Sequence, residues 1–396
     1  MRYTRPHYYN QFQCIADKCP DTCCAGWQIM IDEDTLDKYL NEQGAFGSRL
    51  ANSVNWQEGC FLQYQNKRCA FLNEQNLCDL VIEKGSEFLC RTCDQYPRHT
   101  EEFDGVREYS LSLSCPVAAK MILECNEPFQ LIVEENEEPD PLEEEFEDFD
   151  FMLFTQLEDA REVLFSIVQN RAISMEIRMR QALTFGRKLQ QCLDEERLFD
   201  MQDVISEYAQ VQLSCSDGMH WNARMNDCED VMNNFIVRQQ NEEAWYEALR
   251  ENFTQFYKLE RLRDEWTEVL NETHHALYGK SYSEYENIRQ DFLNTFGKGG
   301  EYYERWEIMQ ENIVMFFLYT YFCGAVYDDC IYSKVALAIF SAIYIQELVM
   351  CSFISADKNI DGQKYVELSY RYAREVEHSD ENLICLEEWF LETMEQ

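Results

Sequence analysis

The sequence predicts a mainly α-helical protein in which a cysteine-rich N-terminal module of loops and short helices precedes a larger helical domain. Eleven of the 18 cysteines lie within the first 125 residues, so thiol side chains are concentrated at one end of the chain. All seven prolines precede residue 142, and proline costs about 3 kcal/mol inside a helix. The proline-free remainder, with apolar side chains at helical spacing, is typical of a helical domain.

Size and charge limit the class of protein. A chain of 396 residues with 46% hydrophobic residues is long enough for two or three globular domains. Its 34 basic and 74 acidic residues give a net charge of −40, which repels nucleic-acid phosphates and anionic lipid. The sequence therefore predicts neither a nucleic-acid partner nor a membrane partner. The opening residues lack an apolar stretch of signal-peptide length, which predicts a cytoplasmic protein.

The first predicted domain, residues 1–125, carries the cysteines that we interpret as metal ligands. In a reducing cytoplasm clustered cysteines indicate a metal or redox site rather than disulfides. One group follows the pattern C-x4-C-x3-C-C, and a later group contains a CxxC turn. The candidate ligands are Cys14, Cys19, Cys23, Cys24, Cys78, Cys90, Cys93 and Cys115. Because zinc and iron–sulfur clusters both accept four thiolates, the residues leave the metal and the choice of ligands open.

The cysteines after residue 125 are interpreted differently. Free cysteine is usually a small buried hydrophobe, and these cysteines are scattered along the predicted helices. Cys215, His220 and Cys228 have ligand-type side chains, but their spacing matches no usual zinc arrangement. We therefore predict no second metal site.

An acidic linker is predicted at residues 126–150. Eleven of the 17 residues from 134 to 150 are acidic, and such a segment repels itself and is well solvated. It separates the cysteine-rich domain from residues 151–396, the helical domain, to which we assign substrate recognition.

Helices are predicted in the second domain from its apolar periodicity. A first helix is indicated by Leu157, Ala160, Leu164, Ile167 and Val168, and a break by residues 297–300. Further helices are predicted near 171–195, 231–258, 303–326, 331–354 and 363–376. The uncharged stretches 313–327 and 335–345 are shorter than the roughly 20 residues needed to cross a bilayer. They are therefore interpreted as buried core helices.

The N-terminal motifs resemble those of a known family. The segment from Tyr8 to Pro116 is similar to the zinc- or iron-chelating CxxCxxCC family in its double cysteine, in LCDL at 77–80 and in LCRTCDQYPR at 89–98. The stretch YYNQFQCIADKCPDTCCAGWQIMID and the later LSLSCP resemble flagellin lysine N-methylases of the FliB type. That resemblance implies a [4Fe-4S] protein that uses S-adenosylmethionine to methylate lysine side chains of flagellin.

The residues themselves leave the mechanism open. The chain departs from the CxxxCxxC pattern of radical enzymes, since Cys24 directly follows Cys23, and it has no GxGxG loop of a Rossmann methyltransferase. Lysine must lose a proton before it attacks a methyl group. Candidate bases are Asp94, Tyr96, His99 and Tyr109, and none is preferred; Trp27 is a candidate to cover the metal centre. The alternatives are a non-catalytic zinc- or iron-chelating protein-binding module and a redox sensor that uses the adjacent cysteine pair.

Overall fold

The computed structural model describes residues 1–142, 146–214 and 242–395. Over these ranges the chain is mainly α-helical, as the sequence predicted. Its buried apolar side chains form a small core within residues 29–90 and a large core shared by the helical domain and the rest of the N-terminal part. The packing therefore divides the chain at different places from the predicted boundaries at 125 and 150.

The N-terminal part contains strands where the sequence analysis expected only loops and short helices. The strands are β1 (Arg2–Pro6), β2 (Val54–Asn55), β3 (Cys60–Phe61), β4 (Arg98–Phe103), β5 (Val106–Leu111) and β6 (Leu131–Glu135). A four-stranded sheet has the order β4-β5-β1-β6, in which β1 is parallel to β5 and antiparallel to β6. The β2 and β3 strands form a separate hairpin.

Strand β6 lies inside the segment predicted as an acidic linker. Five residue pairs join it to β1. The Arg5 guanidinium of β1 donates to the Glu134 carboxylate of β6, with 3.0 Å between Nη1 and Oε2. This ion pair offsets part of the charge repulsion that led us to predict a linker, and the backbone pairing holds the segment in place.

Short helices surround the small core. They are α1 (Glu33–Leu40), α2 (Gly44–Ser53), α3 (Asp79–Lys84) and α4 (Arg91–Gln95). Asp32 caps α1 by accepting the Thr35 backbone N–H at 3.1 Å, and its other oxygen accepts the Arg91 backbone N–H at 2.8 Å. One carboxylate therefore fixes the start of α1 and the start of the helix that follows Cys90.

The other helices of the described ranges follow in chain order, and most of them are longer. They are α5 (Pro116–Leu123), α6 (Phe151–Val168), α7 (Met175–Asp194), α8 (Leu198–Ser214), α9 (Glu242–Phe253), α10 (Asp264–Thr273), α11 (Tyr282–Phe296), α12 (Tyr303–Tyr321), α13 (Ala325–Asp328), α14 (Ile331–Ser355), α15 (Gly362–Glu377) and α16 (Asp380–Glu395). The first helix predicted in this domain is α6, and four more predictions are confirmed as α7, α12, α14 and α15. The helix predicted near 231–258 corresponds to α9 from residue 242 onward, and its earlier residues lie outside the described ranges. The predicted break at 297–300 separates α11 from α12.

Helix α14 lies at the centre of the helical domain. It contacts α7, α12, α15 and α16. It is long and apolar enough to span a membrane by composition, but 72% of its most apolar 18-residue window is buried inside the protein. Its position among the other helices agrees with the interpretation as a core helix.

A buried ion pair joins the sheet to the helical domain. Arg161 of α6 donates from Nη1 and Nη2 to the Glu108 carboxylate of β5, at 2.6 and 2.5 Å. Both side chains are at most 4% exposed. The geometry is bidentate, which is the strongest form of this interaction.

Glu108→Gln is expected to destabilise the protein strongly, because it leaves the Arg161 guanidinium buried without its counter-charge. Loss of one partner from a buried pair costs about 3–5 kcal/mol. Chemical denaturation monitored by circular dichroism measures the change. The matched surface control is Glu83→Gln, whose pair with Arg49 is solvent-exposed and contributes roughly 0–1 kcal/mol. Equal losses for both variants would contradict the assignment of a buried pair.

Candidate active site beside the cysteine cluster

Thiols that are far apart in sequence converge beside the small core. The Sγ atoms of Cys23 and Cys24 are 3.9 Å apart. Cys24 and Cys93 both pack against the small core that contains Cys90. The early double cysteine and the CxxC turn, about 70 residues apart in sequence, therefore meet in the folded protein.

Further thiols border these pairs. Burial raises the pKa of Cys69 to about 12, with contributions from Cys78 and Cys90. Burial also raises the pKa of Cys115 to about 11, with contributions from Cys19 and Cys23. We call Cys19, Cys23, Cys24, Cys69, Cys78, Cys90, Cys93 and Cys115 the cysteine cluster. Burial of a thiol makes its thiolate costly unless a cation compensates the charge.

The predicted ligand set and the cysteine cluster differ in two cysteines. Cys14 is exposed, and its Sγ accepts the backbone N–H of Ala16 at 3.5 Å. Cys69, which the sequence analysis did not select, is buried next to Cys78 and Cys90. Among the described residues, no group of three or more His, Cys, Asp or Glu side chains has the spacing of a preformed metal site. Cys215, His220 and Cys228 lie outside the described ranges.

A cavity of about 1000 Å³ opens beside the cysteine cluster. Trp27, Tyr96 and His99 of the N-terminal part line one side, and Tyr321 and Glu377 of the helical domain line the other. The Trp27 indole donates Nε1–H to the Cys23 carbonyl oxygen at 2.8 Å, which fixes the ring beside the cluster. The cavity therefore combines aromatic walls with a carboxylate.

Glu377 is one of several titratable groups that line this cavity, together with acidic residues such as Glu101 and Glu387 and basic residues such as Arg98 and Lys334. Its Oε1 accepts the Tyr321 hydroxyl at 3.1 Å, and its Oε2 accepts the Ser112 hydroxyl at 3.2 Å and the Ser114 backbone N–H at 3.1 Å. Burial raises the pKa of Glu377 to about 7, although these donors oppose the shift. A carboxyl group with this pKa can both take up and release a proton near neutral pH.

The adjacent His378 is held neutral. Burial, together with the nearby Arg374 and Arg263 charges, lowers its pKa to about 3. Its Nε2 is 2.8 Å from the Ser114 hydroxyl, which in turn lies 3.0 Å from the Tyr96 hydroxyl. The imidazole ring contacts the Trp27 ring at a centroid distance of 4.6 Å. An uncharged imidazole at this position does not repel a cation that enters the cavity.

The candidate bases from sequence have different positions. Tyr96, His99 and Tyr109 line the cavity, whereas Asp94 is exposed on α4 and does not line it. His99 Nε2 lies 2.7 Å from a Glu101 oxygen. Sequence reasoning missed Glu377 and His378. Neither belongs to a recognisable motif, and each is more than 260 residues from Ser114 in sequence.

Stability should fall as the pH rises from about 5 to about 8. Burial raises the pKa of Glu347, Glu375 and Glu377 from 4.5 to about 7 each. In this window the folded state keeps protons that the unfolded state has released, so raising the pH favours unfolding. Glu347 and Glu375 are only 2% exposed and should dominate the effect. We expect Tm to fall by roughly 5 °C or more.

Thermal unfolding followed by circular dichroism at several pH values tests this prediction. Glu347→Gln should flatten part of the pH dependence, because the amide cannot titrate. The exposed control Glu381→Gln should leave the slope unchanged. A Tm that rises steadily across the window would contradict the expected sign.

The fold and the site define a class of protein: a mainly helical protein with a thiol cluster beside an aromatic cavity that contains a titratable carboxylate. Residues 161–396 match the FliB lysine N-methylase C-terminal domain. The match spans more than half of the chain. This chain therefore belongs to the FliB lysine N-methylase family.

Individual relatives agree with this membership. The chain is 32% identical over 134 residues to the flagellar biosynthetic protein FliU of Salmonella muenchen, which is 32% of this chain and 78% of that protein. It is 30% identical over 141 residues to a lysine-N-methylase of Salmonella typhimurium, which is 33% of this chain and 34% of that protein. A lysine-N-methylase of Salmonella choleraesuis has the same identity and coverage. The chain thus spans about a third of the length of the lysine-N-methylases that it matches. No solved structure matches the chain significantly.

Proposed function

We propose that this chain transfers a methyl group from S-adenosylmethionine to the ε-amine of lysine side chains on flagellin, with the cysteine cluster holding a [4Fe-4S] cluster. The observation that carries the proposal is the cavity between the cysteine cluster and the helical domain. Its aromatic walls and its carboxylate suit a lysine side chain, which has an apolar stem and a cationic end.

The cavity offers two attractions to a lysine ammonium. Trp27, Tyr96 and Tyr321 present aromatic rings, and an ammonium over an aromatic face gains about 0.5–2 kcal/mol. Glu377 offers a carboxylate in the same cavity. The net charge of −40 extends this attraction outward, since an acidic protein attracts lysine-bearing surfaces at long range.

Proton transfer must precede methyl transfer. A lysine ammonium has a pKa of about 10.4 and no free electron pair. Because burial raises the pKa of Glu377 to about 7, its carboxylate is a better proton acceptor than an ordinary glutamate. Glu377 takes the proton, the freed nitrogen pair forms the new N–C bond, and the C–S bond of the sulfonium breaks with its electron pair returning to sulfur.

The cysteine cluster has the right chemistry for the proposed iron–sulfur group. Thiolates are the usual ligands of such clusters, and five cysteines belong to the small core or pack against it: Cys24, Cys69, Cys78, Cys90 and Cys93. A bound [4Fe-4S] cluster would supply a redox-active iron centre next to the cavity. Zinc is the alternative occupant, since it accepts the same four-thiolate set.

Flagellin is proposed as the substrate on two grounds. The N-terminal motifs resemble flagellin lysine N-methylases, and one relative is named as a flagellar biosynthetic protein. The cavity is open to solvent at the domain junction, as a side chain presented on a protein surface would require.

Two measurements test the proposal. Protein purified without oxygen is incubated with flagellin and S-adenosylmethionine that carries a deuterated methyl group, and peptides are analysed by mass spectrometry. We expect deuterated methyl groups on flagellin lysines but not on flagellin whose lysines were acetylated beforehand. Iron and sulfide analysis of the same sample should give about four of each per chain. Stoichiometric zinc with no methyl transfer would instead favour the non-catalytic metal-binding module.

A further inference from the structure

A second cavity of about 250 Å³ lies close to the cysteine cluster. It is formed between the Asp21 loop, the start of α10 and the last turns of α15. Arg263 and Arg374 lie at this cavity together with Trp266, which is 4% exposed. Two guanidinium groups against an aromatic wall form an unusual lining in such an acidic protein.

Arg374 is deeply buried but incompletely paired. It is 4% exposed. Its Nε donates to the Ser114 carbonyl oxygen at 2.9 Å, and its Nη1 donates to the Asp21 carboxylate. Its Nη2 has no hydrogen-bond partner within the described part of the chain. A buried unsatisfied donor of a charged group costs free energy, so an acceptor in the cavity would stabilise it.

Arg263 reaches the same place from the other side. Its Nη2 donates to the Thr22 carbonyl oxygen at 3.0 Å and lies 3.7 Å from an Asp21 oxygen. Gly26 makes room for this side chain, because a Cβ atom there would overlap the guanidinium. Gly26 also has a backbone φ of +96°, a conformation that residues other than glycine rarely adopt.

Two of the acidic residues at this cavity already have hydrogen-bond or ion-pair partners. Glu375 accepts the backbone N–H groups of Leu262 and Arg263 at 2.9 and 3.0 Å. Glu367 pairs with Lys364 and Arg371. Glu265 also lines this cavity, but it is exposed to solvent. Asp21 is then the carboxylate that neutralises Arg263 and Arg374, and the buried Nη2 of Arg374, which lacks a partner in the described part of the chain, favours an anionic ligand.

We propose that this cavity binds the α-carboxylate of S-adenosylmethionine between the guanidinium groups of Arg263 and Arg374. The inference rests on the proposed function, in which S-adenosylmethionine is the methyl donor, and it assigns a binding site to that donor. Planar guanidinium groups match a carboxylate well, and such charge-assisted hydrogen bonds are among the strongest in proteins.

The location connects the methyl donor to the larger cavity. Arg374 and His378 are four residues apart, with one residue at the smaller cavity and the other at the larger one. Residues at this spacing lie about 5–6 Å apart on a helix. The proposed carboxylate site is therefore separated from the larger cavity by about one turn at the end of α15.

Isothermal titration calorimetry on the full chain, purified without oxygen, tests the assignment. One probe is S-adenosylhomocysteine, which retains the carboxylate, and the other is its decarboxylated analogue. We expect wild-type protein to bind the decarboxylated probe about 10- to 100-fold more weakly. Arg263→Gln should weaken binding of S-adenosylhomocysteine about 10-fold while changing that of the decarboxylated probe little.

A second variant, Arg374→Lys, keeps the positive charge but removes the planar guanidinium group. It should also reduce the difference in affinity between the two probes. The control is Arg305→Gln, whose surface pair with Glu124 is remote from both cavities. Equal affinity of wild-type protein for both probes would overturn the carboxylate site and leave the methyl donor intact. Failure of both probes to bind, together with no methyl transfer to flagellin, would overturn both.

Discussion

Glu377→Gln is expected to lower the rate of methyl transfer to flagellin by about 100-fold or more, without unfolding the protein. A positioned general base contributes roughly 10²–10⁴-fold to a rate. The amide has almost the same shape as the carboxylate but cannot accept the lysine proton. Stopped-time assays with deuterated S-adenosylmethionine measure the rate, and circular dichroism checks the fold.

The fold should survive because the amide can keep the local hydrogen bonds. Its oxygen can accept the Ser112 hydroxyl and the Ser114 N–H, while its NH₂ group faces the Tyr321 hydroxyl. That hydroxyl can rotate and accept a hydrogen bond instead of donating one. The exposed control Glu381→Gln should have the wild-type rate. Wild-type activity of Glu377→Gln would remove Glu377 from the mechanism.

The pH profile separates a base from a purely structural carboxylate. Because burial raises the pKa of Glu377 to about 7, the active carboxylate form increases as the pH rises through 7. We therefore expect kcat/KM of wild-type protein to rise through this range. The residual activity of Glu377→Gln should lack that inflection, and an unchanged inflection would assign it to another group.

The helical domain was predictable because its helices bury apolar stripes. In the sequence of such a helix, apolar residues recur at spacings of three and four residues, as in α6. Helices α10 and α11 were missed; α10 has only 10 residues, so its apolar spacing repeats over fewer than three turns. The sheet was missed for another reason: β1, β5 and β6 are stabilised by pairing between segments about 100 residues apart or more, which local periodicity does not encode.

The site was predictable only where its chemistry is rare. Cysteine is an uncommon residue type, so clusters of it are visible in the sequence, and in the structure Cys24 and Cys93 pack against the small core that contains Cys90. Glutamate is common here, since the chain has 74 acidic residues. Only the folded environment distinguishes Glu377 from the others, because that environment is what shifts its pKa.

Cys90→Ser and Cys93→Ser are each expected to lose most of the bound metal and nearly all of the methyl-transfer activity. Both side chains lie in the cysteine cluster next to α4, and Cys90 is fully buried. Metal binding and folding are coupled when the ligands come from distant segments. Loss of a ligand should therefore also loosen residues 14–115, which hydrogen exchange followed by mass spectrometry can detect, while metal analysis gives the content.

The matched controls distinguish ligands from ordinary cysteines. Cys14→Ser should keep the metal, because Cys14 is exposed and outside the cysteine cluster. Cys351→Ala should cost only packing energy, roughly 1 kcal/mol, because Cys351 is buried in α14 among the helices. Cys69→Ser adds a sharper test, since the sequence analysis did not select this residue and the structure places it beside Cys78 and Cys90. Full metal content in both Cys90→Ser and Cys93→Ser would show that the CxxC turn does not bind the metal, and the iron–sulfur proposal would then lose its principal pair of ligands.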